Sequence, residues 1–112
     1  MLSKQNKISK KTFLNIFKKG LVIFAPNISL RYFKTNKENN PKFSFVVSKA
    51  VDKKAVNRNL LKRRGYSIAR KHIKKIKNNC FFIFFFKKGA VKLSFKDLEE
   101  EIVYLLKKSK TL

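Results

Sequence analysis

Seven consecutive apolar residues, Cys80-Phe81-Phe82-Ile83-Phe84-Phe85-Phe86, constrain the fold of this chain more than any other stretch. A strand that is apolar at odd and even positions alike has no face to turn to water, which is the pattern of a central strand in a sheet. The run is far too short to cross a bilayer, which takes about 20 residues of helix. Asn78-Asn79 before it and Lys87-Lys88-Gly89 after it mark its ends.

The remaining elements are read around that strand. Phe13, Leu14 and Phe17 recur at helical spacing over Lys10–Lys19, and Gly20 stops the helix. Leu21–Ala25 is a short apolar strand ended by Pro26-Asn27. Ile28–Lys34 alternates, with Ile28, Leu30 and Tyr32 on one face and Ser29, Arg31 and Phe33 on the other. Thr35–Pro41 is a turn, and Lys42–Lys49 is the next strand. A long helix is predicted from Lys53 to Lys77, with Asp52 as its N-cap. Its sheet-facing stripe is Leu61, Gly65, Ile68, His72 and Ile76. Its solvent stripe is Asn59, Arg63, Tyr66, Arg70, Lys74 and Lys77. Ser94–Lys108 is the last helix, with Asp97, Glu99, Glu100 and Glu101 placed to favour its dipole. The order is α-β-β-β-α-β-α, an α+β sandwich, and 112 residues are enough for one domain, 1–112. Residues 1–7, polar and lysine-rich, are expected to be flexible. The connection from the Lys42 strand to the Cys80 strand is long enough for a parallel crossover.

Charge narrows the function. The chain carries 29 Lys and Arg against 6 Asp and Glu, a net charge of +23. Self-repulsion of that size opposes folding unless a polyanion is bound. The cations are densest in Lys54-Ala55-Val56-Asn57-Arg58-Asn59-Leu60-Leu61-Lys62-Arg63-Arg64, with almost no acid between Lys53 and Lys77 to neutralise them. Such a helix suits a phosphate backbone, where each cation displaces condensed counterions. Asn59 among them can donate and accept, and so can bond a base edge or a 2′-hydroxyl. No helix-turn-helix or dimer seam favours duplex DNA.

Side-chain catalysis is poorly supported. His72 is the single histidine and lies on the packed stripe without an evident orienting partner. There is no glycine-rich phosphate loop, metal-ligand cluster or nucleophile–base pairing. Cys80, the single cysteine, heads the apolar strand and reads as a buried small hydrophobe, compatible with a reducing, cytoplasmic setting. Aromatic residues supply a second signal. Most of them are core, but a few left open in a cleft would stack unpaired bases. Phe13, Phe17 and Tyr32 are chosen for such a cleft, with Ser48 and Lys49 at its rim.

Read together, the pieces Phe13-x-x-x-Phe17-Lys18-x-Gly20, Leu30-Arg31-Tyr32, Val47-Ser48-Lys49 and Lys54-Ala55-Val56-x-Arg58-Asn59-x-x-Lys62-Arg63 resemble, in order, the protein subunit of bacterial ribonuclease P. The resemblance implies an α-β sandwich with a left-handed β-α-β crossover, against the usual hand. It implies a ribonucleoprotein enzyme whose RNA subunit holds the catalytic site and Mg2+ and removes the 5′ leader of precursor tRNA, with one protein chain per RNA. By resemblance, Lys54, Arg58, Asn59, Lys62, Arg63, Arg64 and Arg70 bind the RNA subunit. Phe13, Phe17, Arg31, Tyr32, Ser48 and Lys49 take the leader. The chain has Leu60 and Tyr66 where the family often has basic residues. A small ribosomal protein that binds rRNA is the alternative reading.

Overall fold

A computed structural model describes residues 8–34, 41–76 and 80–109. Helix α1 (Lys10–Lys19) is followed by strands β1 (Leu21–Phe24), β2 (Ile28–Lys34) and β3 (Lys42–Val46). Helix α2 (Ala55–His72) runs into a 3-10 turn over Ile73–Lys75. Strand β4 (Cys80–Phe86), a second 3-10 segment over Lys88–Lys92 and helix α3 (Phe95–Lys108) complete the chain. Among the described residues no helix is long and apolar enough to cross a membrane.

The sheet order is β1-β2-β4-β3. The phenylalanine strand β4 lies inside it, antiparallel to β2 and parallel to β3, so α2 forms the expected crossover between parallel neighbours. Period-two alternation divides its side chains. Phe82, Phe84 and Phe86 join the larger core, built with Leu61 and Ile68 of α2 and with Leu98, Ile102, Leu105 and Leu106 of α3. Phe81 and Ile83 meet Ile16 of α1 on the opposite face. Each face therefore has its own helical cover, which is why no position in this strand is polar. Phe43 stacks on Phe82 at 5.1 Å and Phe45 on Phe84 at 4.9 Å between ring centres, which aligns the parallel pair.

Several boundaries differ from the sequence reading. β1 ends at Phe24 and β3 at Val46, short of Ala25 and Lys49. Beyond β3 the chain enters a turn in which Val51 N–H donates to Ser48 O. α2 begins at Ala55 rather than Lys53. Asp52 is not its N-cap: Lys54 occupies that position with no side-chain cap. The Asp52 carboxylate instead accepts from Lys54 N at 2.9 Å and Asn57 Nδ2 at 3.0 Å, ordering the approach to the helix. These bonds, the Lys54 amide first, hold the Asp52 carboxyl below the usual carboxylate range. The α-helical hydrogen bonding stops at His72, since the following residues tighten into the 3-10 turn. Residues 1–7, most of the turn expected over Thr35–Pro41, Lys77 and Asn78-Asn79 lie outside the described residues. Tyr66 lies on the stripe expected to face solvent but is half-buried there. Its half-buried ring meets Phe45 edge-on at 4.8 Å, and burial pushes its phenol pKa up.

Two acids assigned to the α3 dipole join elements together. Glu101 accepts from the backbone N–H and the side-chain amide of Asn27 in the β1–β2 turn. Glu99 accepts from His72 Nε2 at 2.9 Å and lies 3.1 Å from Lys71 Nζ, linking α3 to the end of α2. Those bonds, the His72 bond first, hold the Glu99 carboxyl below its ordinary 4.5. A depressed folded-state pKa contributes stability above the unfolded value that is lost as pH falls through the folded one. Urea titrations should therefore find Glu99→Gln less stable than the parent near neutrality. The difference should close as pH falls below about 4.5. A gap that stayed constant down to pH 3 would show that the Glu99 charge contributes nothing.

Candidate nucleic-acid interface

Two features of the fold, on opposite faces of the sheet, present chemistry for a nucleic acid. The first is α2. Asn59, Arg63 and Arg70 are exposed and Lys62 is half-buried, and with Tyr66 they occupy one side of the helix at spacings of three and four residues. Asn59, Lys62, Arg63 and Tyr66 line a shallow hollow. Arg64 points to another side, with Leu60 and Ser67. Among the described residues the ion pairs are those of Glu99 with Lys71 and His72, and none engages this array. Lys54 is exposed at the helix start. Arg58 is partly committed within the protein. Its Nη1 donates to Asp52 O at 3.0 Å and Lys53 O at 2.8 Å, locking the turn that leads into the helix.

The second feature is a cluster of rings where α1 crosses the sheet, the candidate for the expected cleft. Ile16, 1% exposed, seats α1 on the sheet, and this leaves its neighbours Phe13 and Phe17 along the margin. Their rings lie 6.4 Å apart and nearly parallel. Both meet Phe85 of β4 edge-on, at 6.4 and 6.1 Å. The Arg31 guanidinium lies over the Phe17 ring at 4.3 Å, and its Nη1 donates to Phe17 O at 2.8 Å. Phe17 is 45% exposed, so an aromatic surface remains open beside a fixed cation. Ser48 and Lys49 are exposed just beyond Val46, the residue that pairs with Phe85.

Tyr32 does not join that cleft. It pairs with Phe82 and packs against the larger core, on the face opposite Phe13 and Phe17. Its neighbour Arg31 takes the place beside Phe17. Both residues were expected at the leader site, yet the alternation of β2 places Arg31 and Tyr32 on opposite faces of the sheet. Phe85 was missed because a uniformly apolar strand does not show which ring lies under the edge of a helix. Among the described residues no three His, Cys, Asp or Glu side chains group closely enough to hold a metal.

A sequence model of the Ribonuclease P family matches residues 2–110. The chain belongs to the ribonuclease P protein family. It is 36% identical over 104 residues to the ribonuclease P protein component of Fusobacterium nucleatum, covering 89% of this chain and 92% of that one. The corresponding protein of Syntrophomonas wolfei is 28% identical over 110 residues, covering 97% and 91%. The fold is shared with a Staphylococcus aureus RNase P protein mutant with defective mRNA degradation activity. That match has a TM-score of 0.89 at 22% identity, covering 97% of this chain and 92% of that one. The Thermotoga maritima RNase P protein has a TM-score of 0.82 at 23% identity, covering 91% and 96%. Membership of this family displaces the ribosomal alternative left open by composition.

Proposed function

We propose that the chain is the RNA-binding subunit of a ribonuclease P ribonucleoprotein, docking on the catalytic RNA through α2 and holding the 5′ leader of precursor tRNA in the α1 cleft. The observation that carries this reading is the pairing of an unneutralised cationic helix with a partly exposed ring cluster on one small sheet. The first suits a phosphate backbone and the second suits unstacked bases. The protein's residues bind and position, and Mg2+ held by the RNA supplies the chemistry of phosphodiester hydrolysis. In the cleft, Phe13, Phe17 and Phe85 offer stacking area and Arg31 a charge, with Ser48 and Lys49 beyond.

Reconstitution with a bacterial ribonuclease P RNA at low magnesium tests the reading. Cleavage of precursor tRNA at the mature 5′ end should require both components, and RNA-free protein should yield none. Correct cleavage by the protein alone would overturn the division of labour.

The leader assignment has its own test. Phe17→Ala in the assembled holoenzyme should weaken precursor tRNA binding by about 1–3 kcal/mol, the usual worth of one base stacked on an aromatic ring. Binding of mature tRNA should hardly change. Equal losses for both ligands, in a variant that melts like the parent, would remove the leader from this cleft.

A further inference from the structure

Beside the cationic face of α2 lies a second hollow, lined by Leu60, Arg63, Arg64, Ser67 and Phe95. It sits between the middle of α2 and the first residue of α3. Its apolar members are open to solvent, Leu60 being 40% and Phe95 41% exposed. Neither was assigned a role from sequence. Leu60 interrupts the densest run of cations, where a further charge would suit a purely electrostatic contact. An aliphatic side chain and an aromatic ring thus share a hollow with two arginines, and no carboxylate lines it.

We propose that this hollow receives one unpaired nucleobase of the RNA partner, held between Leu60 and Phe95 while Arg63 and Arg64 contact the flanking phosphates. The inference rests on the RNA-binding reading above and adds a specific feature to it: a flipped-out or bulged nucleotide in addition to a phosphate surface. Charge selects this occupant. A net charge of +23 and a rim whose charged members are both arginines disfavour a second copy of the chain and favour a polyanion. A backbone-only ligand would leave the Phe95 ring in water, whereas a base would cover it. Ser67, at the hollow's edge, can donate to or accept from the base.

The chain contains no tryptophan, so Phe95→Trp would place a single indole reporter in the hollow. Its exposure leaves room for the larger ring. Titration of this variant with a bacterial ribonuclease P RNA should quench the indole, while inorganic polyphosphate at equal phosphate concentration should not. Phe95→Ala should weaken RNA binding by about 5- to 150-fold with the salt slope unchanged, because the lost contact is stacking and not ion release. Arg63→Ala/Arg64→Ala should lower the slope. Equal quenching by polyphosphate, or unchanged RNA affinity in Phe95→Ala, would overturn the base site. If the parent protein itself failed to bind the RNA, the proposed function would fall, and this inference with it. Parent binding without quenching would remove the hollow alone.

Discussion

Gly65→Ala is expected to destabilise the fold by about 1–3 kcal/mol, although alanine is the better helix former by about 1 kcal/mol. A Cβ at position 65 would lie 2.5 Å from Cδ1 of Phe45 and 2.8 Å from its Cε1. That ring has little freedom to retreat. It is 3% exposed, stacked on Phe84 and met edge-on by Tyr66. Accommodation requires α2 to lift from the sheet or Phe45 to leave its stack, and either opens space in the larger core. Urea denaturation of the variant should show a lower midpoint with an unchanged slope. The double variant Gly65→Ala/Phe45→Leu should recover part of the loss relative to the sum of the singles, since the shorter side chain yields the space. If Gly65→Ala were more stable than the parent, helix propensity would outweigh the close approach and the contact would not constrain α2.

The largest effect on binding is expected from Lys62→Ala/Arg63→Ala/Arg70→Ala. These cations share one side of α2 and have no hydrogen-bonded partner or ion pair within the described protein, so each is available to an RNA phosphate. Loss of three contacts should reduce the dependence of log K on log salt by about 2–3, at 0.7–0.9 per phosphate. Between 50 and 200 mM salt the parent should then lose about 20- to 40-fold more affinity than the variant. Arg58 is left in place deliberately. With its guanidinium on the Asp52 and Lys53 carbonyls, alanine there would also loosen the entry to α2. A triple variant with native circular dichroism and an unchanged slope would place the RNA on another surface.

The candidate site was legible in unequal parts. The α2 array could be read from sequence because nearby carboxylates are lacking, and that lack does not depend on the fold. Its internal division was harder to see. Arg58 and Arg63 look alike in sequence, yet one binds the chain's own carbonyls and the other faces solvent. The cleft was half legible. Phe13 and Phe17 followed from helical spacing around Gly20, but which of Arg31 and Tyr32 shares their side depended on which face of β2 meets α1. Across the strand pair Arg31 lies opposite Ile83 and Tyr32 opposite Phe82. His72 does have a partner, contrary to the expectation from sequence: it is half-buried against Glu99. Its partner Glu99, 27 residues away, could not be inferred from either helix alone.

By itself the sequence determined that Cys80–Phe86 is an interior strand, that a basic helix precedes it and that an acid-headed amphipathic helix closes the chain. Those outcomes depend on local periodicity and net charge, which act over a few residues. The tertiary structure decided which odd and which even side chains of β4 meet which helix. It also decided that Gly65 admits the Phe45 ring, that Tyr66 turns inward, and that Glu99 and Glu101 join α3 to α2 and to the β1–β2 turn. These outcomes depend on the register of packed surfaces, because a one-residue shift of a strand exchanges its two faces and no local propensity records which face is covered.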